Sequence, residues 1–178
     1  MNIVPSSEQT CKWRRIQPWF KNGRQSECEK YQIEIINTIT QSTCNKTKQR
    51  INISNLQFKD QYNLTCDDGY EYTENFDALQ IIKEKTFFFN LKMICGQGGA
   101  QTRFLREVYW FIKSQLDLLL KENTNNVYFV NILDGDECYK NKNKFEYLLK
   151  KEKYDTVRKN VFCGDMYSFQ SFFSDVNK

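Results

Sequence analysis

The sequence contains no histidine among its 178 residues, and this absence removes several classes of enzyme. Without histidine there is no Ser-His or Cys-His catalytic pair, no nuclease built on a histidine base and no histidine-ligated zinc site. Any catalysis by this chain must therefore rest on carboxylates, lysine, tyrosine, cysteine or a hard metal ion.

The seven cysteines are widely scattered and never form a C-x-x-C pair. An odd number without such pairs argues against both a zinc site and a disulfide framework. Free thiols predict a reducing compartment, so we expect an intracellular protein, either cytoplasmic or nuclear. No apolar run approaches the roughly 18 residues of a membrane span and no charged-then-apolar leader is present, so we expect no membrane partner and no signal peptide.

Only two prolines and seven glycines interrupt the chain, and aromatic residues make up 15% of it. This composition and length predict one globular domain over 1–178, with a helical, basic N-terminal region (1–68) and an α/β core (69–178). The net charge of +4 is concentrated in the first third of the chain. That asymmetry favours a polyanionic partner, although an ordinary solvated surface explains it equally well.

Apolar periodicity predicts an α/β fold with one central mixed sheet flanked by helices. Ser26 is the expected N-cap of the first helix, with Glu29 three residues later. The segment QIIKEK is expected to form a turn between two strands. The predicted elements, in chain order, are a helix over 26–41, strands over 51–58, 69–79 and 86–95, a helix over 102–121, a strand over 127–133, a helix over 143–153, a strand over 160–165 and a helix over 166–176.

The central strand FFFNLKMI carries two polar side chains in an otherwise apolar run. Side chains alternate between the two faces of a strand, so Asn90 and Lys92 share one face with Phe88. Burying an unpaired charge is costly, and strand packing alone does not require a lysine here. We therefore expect Lys92 to lie in a cleft that holds negative charge.

Asp77 precedes this strand and suggests what that charge is. We predict that the Asp77 carboxylate, the Asn90 amide oxygen and the Leu91 carbonyl bind Mg²⁺, which prefers oxygen ligands. Lys92 would then lie beside the metal-bound water and the scissile group of a phosphodiester. Structural roles remain open: Asp77 as a turn-flanking acid, Asn90 as a satisfied polar residue and Lys92 as a snorkelling side chain.

The segment GQGGAQTR follows this strand and opens a helix. Free N–H groups and the positive end of the helix dipole favour a phosphate there. Arg103 and Arg106 add positive charge, and Gln97 and Gln101 can bond a phosphate or a base edge. We predict that these four residues contact nucleic acid; the alternative is a flexible strand-to-helix turn.

A second acidic group, Asp134, Asp136 and Glu137, follows the next apolar strand. Its DGD sequence is compatible with a metal ligand set. Acids at strand ends also commonly cap the next element, and this structural role is the favoured alternative.

The pattern FD followed by NLK resembles the core of the PD-(D/E)XK nucleases, with Asp77, Asn90 and Lys92 at the three signature positions. The longer run NLKMICGQGGAQTRFLREVYWFI is similar to small type II restriction endonucleases of that superfamily, over roughly residues 70–173. Asn90 is neutral where the family usually carries a carboxylate, and Glu74 or Glu34 is a candidate for the missing charge.

This resemblance implies a restriction-endonuclease-like core and Mg²⁺-dependent cleavage of double-stranded DNA at a short specific sequence. It further implies a homodimer and a companion DNA methyltransferase. Two other functions remain open on the sequence. The neutral Asn90 favours a nucleic-acid-binding protein that has lost turnover, and an interaction protein with no nucleic-acid role is the third possibility.

Overall fold

The computed structural model describes residues 2–60, 72–96 and 98–178. Five helices and seven strands occur in these ranges, together with two short 3₁₀ turns near the C-terminus. The helices are α1 (Thr10–Arg15), α2 (Gln25–Thr40), α3 (Gly99–Glu122), α4 (Asp136–Leu149) and α5 (Met166–Val176). The strands are β1 (Gln49–Asn52), β2 (Gln57–Asp60), β3 (Thr73–Asn75), β4 (Ala78–Ile82), β5 (Lys85–Met93), β6 (Val127–Asp134) and β7 (Val161–Gly164).

The central sheet is mixed and has four strands in the order β4-β5-β6-β7. β4 pairs antiparallel with β5, whereas β6 and β7 run parallel to β5. The parallel strands are joined through α3 and α4, as parallel crossovers usually are. The predicted α/β class, with a mixed sheet flanked by helices, is confirmed.

Alternation along β5 divides the core into two layers, as predicted. Phe87, Phe89 and Leu91 point to one face of the sheet, where they pack with residues of α2 and α5. Phe88 points to the other face, towards apolar residues of α3 and α4. α2 therefore contributes directly to the core, with Ile35 fully buried beside these phenylalanines.

A smaller antiparallel sheet, ordered β2-β1-β3, lies outside the central one. The sequence predicted only one strand over 51–58, whereas the structure forms a hairpin with Leu56 at positive φ. Ile51 anchors this sheet to the α3 side of the core. The predicted strand over 69–79 is in fact two strands, β3 and β4, and its first residues lie outside the described ranges.

Several predicted boundaries are wrong for identifiable reasons. The β4–β5 turn is only two residues, Lys83 and Glu84, both at positive φ as a tight hairpin turn of this length requires. α3 begins at Gly99 rather than at 102. α4 begins at Asp136 rather than at 143, with two acidic residues in its first turn that favour the helix dipole.

The cap of α2 also differs from the prediction. Ser26 is not its N-cap; α2 begins at Gln25, with Arg24 at the N-cap position. The Glu27 carboxylate accepts hydrogen bonds from the backbone N–H groups of Asn22 and Arg24. Glu29, the expected capping partner, is therefore not used at the helix start. Within the described residues, no helix is long and apolar enough to cross a membrane.

Candidate active site

Asp77 and Lys92 lie together at one end of the antiparallel β4–β5 pair. Asp77 immediately precedes β4, and its Oδ2 lies 3.7 Å from Nζ of Lys92. The backbone N–H of Leu91 donates to the same carboxylate over 2.7 Å. Both charged side chains are partly exposed, at 22% and 34%, so the pair is accessible to a ligand.

The Leu91 carbonyl belongs to the same site. The N–H and C=O of one strand residue point towards the same neighbouring strand. Because the Leu91 N–H points to Asp77, its carbonyl is also directed to that side, beyond the last β4–β5 pair at Ala78 and Phe89. A carboxylate and a carbonyl are hard oxygen donors, and Mg²⁺ needs only one or two carboxylates because it retains several waters. The donor set therefore fits Mg²⁺.

Two further carboxylates lie within electrostatic reach of the pair. Burial and then the negative charge of Asp77 raise the pKa of Glu29, while Lys92 opposes the shift. Burial also raises the pKa of Glu74, with contributions from Glu107 and Asp77 against the opposing Lys92. Three carboxylates, those of Asp77, Glu29 and Glu74, therefore interact with Lys92, and Lys46 adds a second positive charge near Glu29. A group of carboxylates of this kind favours a bound cation.

The acid that α2 supplies is Glu29, not Glu34. Glu34 is exposed on α2, whereas Glu29 is partly buried and interacts electrostatically with Asp77 and Lys92. Sequence reasoning missed Glu29 because it assigned that residue to the helix cap. Glu27 is the residue that could have corrected this assignment. If the helix begins at Gln25, Glu27 is placed equally well to cap it, and Glu29 is then available for another role.

Asn90 lies in a buried amide network. It is 1% exposed, and its Nδ2 donates to Oδ1 of Asn131 over 2.9 Å. Asn131 in turn exchanges hydrogen bonds with Gln115 of α3. Asn90 thus joins β5, β6 and α3, although its Oδ1 has no hydrogen-bond partner among the described residues. This gives Asn90 a structural role, while metal binding by its amide stays a prediction.

If Asn90 acts only in this network, Asn90→Asp should destabilise the protein without tightening Mg²⁺ binding. The change replaces a buried donor with a carboxylate that faces Oδ1 of Asn131, at a cost of about 1–3 kcal/mol. Urea unfolding and Mg²⁺ titration measure the two effects, with the exposed Asn143→Asp as the matched control. Tighter Mg²⁺ binding with unchanged stability would instead place Asn90 among the ligands.

The structure does not place the four predicted nucleic-acid-binding residues on one surface. Gln97 lies outside the described residues, and Gln101 is half-buried in the first turn of α3. Arg103 is exposed and lies 3.6 Å from Glu107, the residue that interacts electrostatically with Glu74. Arg106 lines a cavity of about 570 Å³ between α3 and α4. The two arginines therefore serve different surfaces of the helix.

The second acidic group has mainly structural partners. Asp134 is 5% exposed and accepts hydrogen bonds from Ser6 Oγ, Gln32 Nε2 and the Met166 N–H. It therefore satisfies the first N–H of α5 and links the N-terminal segment to the end of β6. Glu137 pairs with Lys140 over 3.1 Å. These contacts favour the capping role over a shared metal site.

Asp134 should contribute stability in mild acid that is lost at neutral pH. Burial raises the pKa of Asp134 to about 6, so the folded state holds its proton more tightly than the unfolded state. The contribution of Asp134 to stability should therefore fall by up to about 3 kcal/mol as pH rises from about 4 to 7. Urea unfolding across this range should show a smaller fall for Asp134→Asn, since other groups titrate alike in both proteins. Identical slopes would contradict this assignment.

One group of three possible ligand side chains is compact in the described part of the chain. It comprises Cys11, Cys95 and Asp136, whose ligand atoms lie within 4.8 Å of one another. The carboxylates around Lys92 do not converge to that extent.

Comparison of the chain with protein-family models, with curated proteins and with solved structures finds no match. The geometry of the sites therefore carries the functional argument.

Proposed function

We propose that this protein is a Mg²⁺-dependent endonuclease of restriction type that hydrolyses double-stranded DNA at a short specific sequence. The observation that carries the proposal is the accessible Asp77–Lys92 pair, 3.7 Å apart at the end of neighbouring strands. A strand arrangement with an acid before β4 and a lysine near the end of β5 is compatible with a restriction-endonuclease-like core.

Each residue of the site has a distinct role in this proposal. Asp77 and the Leu91 carbonyl would hold Mg²⁺, which when bound supplies charge stabilisation and an activated water. The Lys92 ammonium would bind the scissile phosphate and offset its charge. Glu29 and Glu74 add negative charge that favours a cation, and this compensates for the neutral residue at position 90.

The sequence resemblance supports the finer parts of the proposal. Recognition of a short duplex sequence is a property of the restriction enzymes that the segment NLKMICGQGGAQTRFLREVYWFI resembles. A homodimer would place two active sites on the two strands of one target. A companion DNA methyltransferase would protect the host sequence from cleavage.

Two observations favour a second function, a DNA-binding protein with this fold and no turnover. Asn90 is neutral and engaged with Asn131, and the carboxylates near Lys92 do not converge. DNA binding in EDTA, measured by filter retention, separates both candidates from a protein with no nucleic-acid role. Addition of Mg²⁺ to the same complexes then separates them from each other, because only the endonuclease yields discrete DNA fragments.

Arg103→Ala and Arg106→Ala should each weaken DNA binding on all sequences. Each lost phosphate contact should make the dependence of log K on log salt shallower by about one unit. Filter binding at several salt concentrations measures this slope, and Arg158→Ala, which breaks a surface pair with Asp155, is the matched control. A shallower slope in the Arg103→Ala protein alone would place DNA on the side of α3 that carries Glu107. Unchanged slopes in both variants would mean that α3 does not contact DNA.

A further inference from the structure

Three side chains from distant parts of the chain form a compact group that includes neither Asp77 nor Lys92. Cys11 lies in α1, Cys95 follows β5, and Asp136 begins α4. One ligand atom from each lies within 4.8 Å of the other two. We propose that Cys11, Cys95 and Asp136 form a binding site for a thiophilic divalent cation, with Zn²⁺ as the ion of best fit.

The chemistry of the donors selects the metal. Two thiolates and one carboxylate suit Zn²⁺, which accepts sulfur and oxygen ligands in a tetrahedral shell. Mg²⁺ is excluded because it prefers a shell made of oxygen. Three protein ligands leave the fourth tetrahedral position for water, so the site is open rather than closed.

The surroundings hold one ligand in place before any metal binds. Oδ1 of Asp136 accepts a hydrogen bond of 3.0 Å from the Gly96 N–H, next to Cys95 in the chain. This bond fixes the carboxylate against the segment that carries the second thiol, as outer-shell partners do in metal sites. Lys140 lies 3.9 Å from Oδ2 and also pairs with Glu137 over 3.1 Å, so its ammonium has a second carboxylate partner. The two cysteines are half-buried and so accessible to an ion.

The site would connect the N-terminal segment to the central sheet. α1 has only six residues, and its Trp13 packs edge-on against Tyr31 of α2. A metal bridge from Cys11 to Cys95 and Asp136 would join α1 to the ends of β5 and α4. Bound Zn²⁺ should therefore raise the melting temperature of the full chain in a concentration-dependent way. This inference does not rest on the proposed nuclease function.

The test is metal binding by the reduced, chelator-treated full-length chain. Titration with Zn²⁺ against a chromogenic chelator should give one ion per chain, and Co²⁺ should give a thiolate-to-cobalt charge-transfer band. Cys11→Ser, Cys95→Ser and Asp136→Asn should each weaken binding about tenfold or more. Cys44→Ser, a half-buried cysteine outside the group, should bind like the wild type.

Two results would overturn the inference. The first is reduced wild-type protein that shows no thiolate-to-cobalt band, which needs no variant to fold. The second is Zn²⁺ affinity that is equal in the wild type and in the Cys11→Ser, Cys95→Ser double variant. A Cys11–Cys95 disulfide in unreduced protein, combined with either result, would identify the group as a redox pair instead. DNA cleavage is not a readout here, so failure of this test is distinguishable from failure of the proposed function.

Discussion

Asp77→Asn should lower the rate of Mg²⁺-dependent DNA cleavage by about 100-fold or more. The substitution removes the negative charge of the principal metal ligand, a loss of several kcal/mol of transition-state stabilisation. It keeps an oxygen that can accept the 2.7 Å hydrogen bond from the Leu91 N–H, so the strand end should remain intact. Single-turnover cleavage at saturating protein measures the rate.

Two comparisons make this prediction specific. Asp77→Ala would leave the buried Leu91 N–H without its partner and cost about 1–3 kcal/mol, so a loss of activity in that variant alone would be ambiguous. Asp175→Asn changes an exposed acid that pairs with Lys178 and should cleave like the wild type. Undiminished cleavage by Asp77→Asn would move the metal site away from Asp77.

Gly135→Ala should destabilise the fold by at least about 3 kcal/mol, the largest effect expected from a single methyl group here. Gly135 has φ of +111°, and a Cβ added to it would lie 2.1 Å from the backbone oxygen of Ile94. The contact cannot relax easily, because Ile94 bonds to Asp134 through its N–H and to Glu137 through its carbonyl. Urea or thermal unfolding measures the loss.

Gly99→Ala is the matched control for this prediction. An added Cβ at Gly99 meets no atom within 4 Å, and the residue is the first of α3. Its stability should change by less than about 1 kcal/mol, in the stabilising direction, because alanine restricts the unfolded chain. A Gly135→Ala protein as stable as Gly99→Ala would contradict the close approach of the two backbones.

The sequence was most informative where one periodicity acts over a long strand. Alternation in β5 correctly assigned Phe87, Phe89 and Leu91 to one face and Phe88 to the other. The cost of burying an unpaired charge predicted negative charge near Lys92, and the structure places it 3.7 Å from Asp77. These predictions succeed because successive side chains of a strand point to opposite faces, so the face of each residue follows from its position.

The sequence was less informative about polar side chains with distant partners. Alternation puts Asn90 and Lys92 on one face but cannot show that Asn90 bonds to Asn131. The predicted cap of α2 was wrong although Ser26 and Glu29 match the capping-box pattern. In the structure, Glu27 caps the helix by accepting hydrogen bonds from backbone N–H groups that precede it. Local motifs allow several assignments, and tertiary packing selects one of them.

The cysteine group shows the same limit for residues far apart in the chain. The lack of a C-x-x-C pair predicted no zinc site, since ligand pairs usually lie close in sequence. Cys11 and Cys95 meet only because α1 packs at the end of β5, beside the start of α4. No local pattern encodes that approach, because it depends on where the N-terminal segment packs, with Ser6 bonded to Asp134 and Asp165.

The central claim is that the residues around Asp77 and Lys92 form a hydrolytic centre. The most direct measurement is incubation of the wild-type protein with unmethylated supercoiled plasmid over a Mg²⁺ titration, with EDTA and a Lys92→Ala protein as references. The account predicts discrete linear fragments that appear only with Mg²⁺ and only with Lys92 present. Plasmid that is bound but intact at every Mg²⁺ concentration would contradict it.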